Sequence, residues 1–379
     1  MPLSSVRVLD LSRLLPGPYC TMILADFGAE VIKIEEPYIG DYARAYLPKI
    51  DEDSAFFHTL NRNKKSVCLD LKSVEGRDYF LQLVKQSDVV VESFRPGVMR
   101  RLGIDYETLK EINPQLIYCA ITGYGQTGPY VEKPGHDVNY ISYAGVLNMM
   151  GERNGKPVIP AVQIADIGGG AMPATIGILL ALMAREKTGK GQMVDISMLD
   201  NVISWMPTLL PDYLATNNEP ERGNIVLSGK LACYEVYQTK DKKWLSVGAL
   251  EMKFWETFCK TIGREDFIVH LNAPTMIQDK MKIEIQKIIA QKTQDEWMTI
   301  FQTMDSCVAP VYSFEEMVND PQVKARDMIK SGELGTTKHV GIPIKLSETP
   351  GEIRKQAPKL GEHTDEILME MGIKKTRRK

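Results

Sequence analysis

The feature that most constrains this chain is a repeated alternation of short apolar runs with helical segments. It fills the first 125 residues. VRVLDL (6–11) is short, rich in Val and Leu, and reads as a buried strand. PGPYCTMILADFGA follows with an apolar stripe at Met22, Leu24 and Phe27, and Gly28 is placed to cap its end. EVIKIEEP (30–37) is a second strand. Two parallel strands joined through a helix need a crossover of this length, so the segment predicts a βαβ unit. SVCLDL (66–71), EGRDYFLQLVKQS (75–87), DVVVESF (88–94), ETLKEINP (107–114) and LIYCAITGYG (116–125) continue the alternation. The expected class is α/β, with an open, mostly parallel sheet.

Past residue 170 the pattern changes twice. Residues 172–185 are apolar all round and predict a buried helix. MVDISMLD (193–200) passes from strand to helix. Residues 206–229 lose periodicity, are rich in Pro, Asn and Gly, and read as a linker. ACYEVYQTKDKKWLSVGA then alternates around the charged turn TKDKK, which predicts a hairpin. Helices are expected at 252–261 and 278–305, and a last one at 364–371. The expected plan is a large domain over 1–205 completed by about 325–379. A small α+β domain spans 230–310, with linkers at 206–229 and 311–324.

Composition limits the function classes. The net charge is −3, which gives no general attraction for nucleic acid or anionic membrane. The basic run KKTRRK (374–379) is expected to be a solvated terminus. None of the six cysteines stands in C-x-x-C spacing, and several sit in apolar runs, which fits a reducing compartment. MPLSSVRVLDLS has no secretory pattern, and IGILLALMA (176–184) is by itself too short to span a bilayer. The expectation is a cytoplasmic protein with no nucleic-acid or membrane partner.

Few segments carry chemistry. GYGQTGP (123–129) lacks both the P-loop ending and the G-x-G-x-x-G spacing, so it reads as a strand-end loop lining a cleft. PGHDVNY places His136 in a Gly/Pro-flanked loop. A loop histidine is most often plain surface, and His136 alone decides nothing. Asp166 precedes Gly168, Gly169 and Gly170. It fits a helix N-cap, whose bare backbone N–H groups could hold an anion or oxyanion. Glu251 ends a predicted strand and begins a helix. Lys33, Arg62 and Arg95 lie at predicted strand ends. They are either solvated charge or a set suited to a phosphorylated ligand.

Taken together, VLDLSRLLPGPYCTMILADFGAEVIKIE, FFHTLNRNKKSVCLDLK, VVVESFRPGVMRRLGI, AITGYGQTGPY, DIGGG and KGQMVDISMLD resemble the family III CoA-transferase superfamily of CaiB/BaiF type. GHDVNY and VGALEMKFW make the likeness strongest to its α-methylacyl-CoA racemase branch. The resemblance implies a large Rossmann-like domain, a small α+β domain and an interlocked homodimer whose active sites are shared between chains. It also implies that an acyl-CoA thioester is the substrate and that CoA lies on the large domain. His136 and Asp166 are then the acid/base pair, and Glu251 of a second chain fixes the histidine. Lys33, Arg62, Arg95, Tyr124 and Gly125 are the implied contacts to CoA. No metal, NAD or flavin is expected. Two other readings stay open: a CoA-transferase with Asp166 as nucleophile, and a non-enzymatic acyl-CoA binding protein.

Overall fold

The computed structural model describes residues 1–330 and 338–372. The chain packs as two units. The first comprises Met1–Val146, Pro160–Trp205 and the described residues from Lys324 on. The second comprises Leu147–Ile159 and Met206–Val323. The basic run 374–379 lies outside the described residues.

The first unit is built on six parallel strands: β1 (Arg7–Asp10), β2 (Glu30–Glu35), β3 (Lys64–Cys68), β4 (Val89–Glu92), β5 (Ile117–Thr122) and β6 (Met193–Ser197). Their order in the sheet is β3-β2-β1-β4-β5-β6. This is the doubly wound order, which reverses direction between β1 and β4. The central strands are covered on both faces, so Val8, Leu9, Val89, Val90 and Val91 are fully buried and read as continuous apolar runs. Helix α1 (Pro16–Asp26) crosses from β1 to β2, with Pro16 at its first position where no N–H is needed. Helices α2 (Val74–Val84) and α3 (Tyr106–Ile112) begin at Ser73 and Asp105, whose side chains accept from Gly76 N and Thr108 N.

The C-terminal segment packs back onto this unit. Asn63 Oδ1 accepts from Arg354 N and Lys355 N. The last described helix, Thr364–Glu370, buries Ile367 and Leu368.

The region after residue 163 departs from the sequence expectation. Ile164–Ala171 forms a π-helical turn that runs into α5 (Met172–Thr188), and Asp166 is therefore inside a helix rather than capping one. Met172 N donates to Ile167 O five residues back, the widened ring of a π-turn. Nor is α5 buried all round. Ala174, Thr175, Ile178, Ala181 and Leu182 face inward, while Met172, Ile176, Leu179, Leu180 and Met183 are exposed. The joined run Ile164–Thr188 has 25 residues and is long and apolar enough to cross a membrane by length and composition. The nonapeptide run alone understated it. Its inward face packs on α1, β5 and β6, as the core helix of a sheet protein does.

In the second unit, β7 (Tyr234–Gln238) and β8 (Trp244–Gly248) form the hairpin, with Lys242 at φ 65 in its turn. Strand β9 (Val308–Pro310) pairs antiparallel with β8. Helices α7 (Met252–Thr261), α8 (Thr275–Ile289) and α9 (Gln294–Phe301) bury Trp255, Phe258, Trp297 and Phe301 against this sheet. The expected continuous helix 278–305 is two helices. Thr293 and Glu296 form a capping box that starts α9, a local signal that the apolar pattern alone overrode. The segment 206–229 carries a helix, Leu210–Thr216.

Candidate active site

Loops following β1, β4 and β5 converge at the carboxyl edge of the first unit's sheet. They line a cavity of about 640 Å³. The strand order reverses between β1 and β4, so the cavity sits where open α/β sheets bind ligands. His136, Asp166, Arg95 and Tyr124 all line it. A second cavity of about 250 Å³ shares Arg13, Tyr42 and Phe94 with the first. Arg13 spans the two, its guanidinium 5.0 Å from the Tyr42 ring centroid and 5.5 Å from that of Phe94.

His136 is exposed and directly precedes helix α4 (Asp137–Tyr143), with its backbone N–H donating to Asn139 Oδ1 at 3.0 Å. Asp166 is half-buried, and among the described residues its carboxyl receives no hydrogen bond. Burial first, and then the Asp137 carboxylate, push its pKa up to about 7. A carboxyl poised there can accept and return a proton at neutral pH, which its ordinary acidity would not permit. Asp137 Oδ1 accepts from Ala165 N at 2.6 Å and from Asp166 N at 3.0 Å. Those two N–H groups are thus satisfied inside the protein and are not bare donors for an oxyanion, contrary to the capping expectation.

The three glycines serve close packing. A Cβ on Gly168 would lie 1.6 Å from Trp205 Cη2. One on Gly169 would lie 2.8 Å from Met198 O. Helix α6 (Met198–Ser204) and Trp205 therefore press directly on the turn that carries Asp166.

The cavity wall beside His136 is aromatic. Tyr124 stands edge-on to Tyr130, Tyr140 and Tyr143 at 5.6, 5.3 and 5.8 Å. Lys133 lies over the Tyr130 and Tyr143 rings at 4.6 Å each. Gly123 and Gly135 make room for the Tyr140 ring, and Tyr140 Oη donates to Gly135 O at 2.5 Å, which fixes the loop leading to His136. The Thr122 and Tyr124 hydroxyls are buried at this wall without a partner among the described residues. The charged groups lining the cavity, besides His136, are Arg13, Arg95 and Lys133 against Asp166, a set that favours an anionic ligand. The sequence reading passed over Arg13, Lys133 and Tyr140, and noted Asp137 only as the neighbour of His136. Four tyrosines between 124 and 143 were the available signal.

Other expected contacts are placed elsewhere. Lys33 is fully buried on β2, donates to Ser12 O at 2.8 Å and pairs with Asp41 at 2.9 Å. Burial alone would depress its pKa, but Asp10 and Asp41 outweigh burial and hold it above its ordinary value. Asp41 in turn accepts from Leu14 N, and Leu14 sits at φ 65. Lys33 therefore holds the Ser12–Leu14 loop and does not itself face the cavity. Arg62 is 1% exposed, grips Asp26 through Nε and Nη2, and donates to Val340 O at 2.6 Å. It is committed to anchoring the C-terminal segment, so neither buried cation is available to a phosphate. Gly125 lies behind the wall against Ser197, with φ 81, and serves the turn. Arg95 is exposed and has no ion pair among the described residues. Glu251 belongs to the second unit, where it is the N-cap of α7 and its carbonyl accepts from Phe254 N and Trp255 N. The nearby Cys307 thiol is pushed up by burial and then by Glu251.

Residues 3–364 match CoA-transferase family III. The chain belongs to this family. Its relatives include the human alpha-methylacyl-CoA racemase, 35% identical over 374 residues, which cover 98% of this chain and 94% of that protein. The acetyl-CoA:oxalate CoA-transferase of Acetobacter aceti is 36% identical over 371 residues, covering 95% and 93%. Among solved structures, a CAIB/BAIF family protein from Brucella suis superposes with a TM-score of 0.87 at 30% identity, over 98% of this chain and 99% of that one. Family members are enzymes, and racemase and transferase relatives stand at equal distance from this chain.

Proposed function

We propose that the protein epimerises the 2-position of 2-methylacyl-CoA thioesters by moving a proton between two groups. The observation that carries this reading is that His136 and Asp166 line one cavity, with Asp166 held near neutrality. One group takes the α-proton and the C–H electron pair moves toward the thioester, leaving negative charge on its oxygen. The other group then donates a proton to the opposite face, and the carbonyl re-forms. Either group can act first, so both epimers are substrates. Arg13, Arg95 and Lys133 supply positive potential for the enolate and for the CoA phosphates. The adjoining smaller cavity suits the far end of a long ligand. The chemistry calls on no metal, NAD or flavin. The resemblance further assigns Glu251, carried by a second copy of the chain, to fixing the histidine.

A second reading is favoured by the equal similarity to transferases. There the Asp166 carboxylate attacks an acyl-CoA thioester carbonyl, expelling CoA thiolate and forming an acyl anhydride. The test is exchange in D₂O with (R)- and (S)-2-methylacyl-CoA, with and without a free acid acceptor. Racemisation predicts α-deuteration of both epimers without acceptor, and loss of at least about 10³-fold in exchange for His136→Ala and Asp166→Asn. No deuteration of any such thioester, with hydroxylamine-trappable acyl on Asp166, would establish the transferase instead.

A further inference from the structure

Asp137 stands between the two proposed proton carriers and touches both of their frames. Its backbone continues directly from His136 and opens α4. Its side chain crosses to the π-turn and takes hydrogen bonds from Ala165 N and Asp166 N through one oxygen. Those donors are the N–H of Asp166 itself and that of the residue before it. A π-turn lacks the regular ladder of an α-helix, so its first N–H groups need an outside partner. An ionised carboxylate with two donors at 2.6 and 3.0 Å is a charge-assisted clamp. No other side chain among the described residues accepts from the backbone of Ile164–Ala171.

We propose that Asp137 is a positioning residue that clamps the turn bearing Asp166 to the loop bearing His136, so that the two proton carriers face one α-carbon at fixed separation. The proposal rests on the proton-transfer reading. The clamp also brings a negative charge to Asp166, with an electrostatic consequence beyond geometry. The ionisable groups that line the cavity with Asp166 are Tyr140 and His136 from α4 and its entry, and Arg13, Tyr42, Arg95, Tyr124 and Lys133 from the loops. Of these and Asp137, the Asp137 carboxylate is the charge that raises Asp166.

Two variants separate the roles. Asp137→Asn keeps an oxygen acceptor and removes the charge, whereas Asp137→Ala removes both. With 2-methylacyl-CoA in D₂O, Asp137→Ala should lower kcat for exchange by about 10²-fold, the cost of misplacing a reacting group by about 1 Å, while KM changes little. Asp137→Asn should stay within about tenfold of the parent, with the Asp166-dependent limb of its pH profile moved to lower pH. A merely structural residue would leave that limb in place. Carboxyl-¹³C NMR of aspartate-labelled protein, with the Asp166 signal assigned from Asp166→Asn, reads the same shift without turnover. If Asp137→Ala does not fold, this titration of Asp137→Asn decides the matter. An unmoved Asp166 titration in Asp137→Asn, or parental exchange in a folded Asp137→Ala, would overturn the proposal. Absence of exchange in the parent protein would sink the racemase reading alone, because the titration still reports the Asp137 charge held against Asp166.

Discussion

At the scale of single residues, burial and charge decide what each ionisable group does. Asp166 keeps its proton in the folded protein at pH values where the unfolded chain has lost it. Its contribution to stability is therefore complete below about pH 4 and declines as pH rises toward about 7. Asp166→Asn removes that penalty. We expect its Tm to exceed the parent's at pH 8 and to match it near pH 4, as scanning calorimetry at the two pH values would show. Lys33 has the opposite character. It is buried between Asp10 and Asp41, and Lys33→Met leaves those carboxylates short of a partner. A loss of about 3–5 kcal/mol in urea unfolding is expected, with looser substrate binding because the Ser12–Leu14 loop loses its anchor. Unchanged stability would show that Asp41 finds another cation.

At the scale of elements, the contact between the π-turn and α6 fixes where Asp166 points. Gly168 allows the Trp205 ring to lie where a side chain would be. Gly168→Ala should cost about 1–3 kcal/mol by overpacking and should depress activity, since the displaced element carries Asp166. Combining it with Trp205→Ala should recover part of that loss. A double-mutant cycle would read this as a coupling above about 0.5 kcal/mol, and strict additivity would contradict the contact. Helix α5 shows the same economy on its inner face. Gly177 lets Val194 approach, with a Cβ there only 2.6 Å from its Cγ1.

At the scale of the whole molecule, the outer face of α5 leaves Ile176, Leu180 and Met183 at 58%, 61% and 60% exposure. Apolar side chains repeated along one helix face at this exposure suit contact with another body. The proposed homodimer would cover it. Leu180→Asp with Met183→Asp is then expected to shift the protein from dimer to monomer in sedimentation velocity. A parent protein that sediments as a monomer would refute the assignment.

The sequence by itself determined the α/β class with a mostly parallel sheet, the hairpin of the second unit and the identity of His136 and Asp166 as candidates. These follow from local periodicity, turn chemistry and motif order, which short stretches of chain carry. It did not determine where the cations went. Lys33 and Arg62 look like surface charge in a one-dimensional string, and only the paired carboxylates Asp41 and Asp26, close in space, show that they are interior struts. It also did not reveal that DIGGG is a π-turn rather than a cap. A run of glycines permits many backbones, and the choice among them falls to Trp205, Met198 and Asp137, whose contacts exist only in the folded chain. Tertiary structure decided these points because desolvation and close packing depend on neighbours distant in sequence.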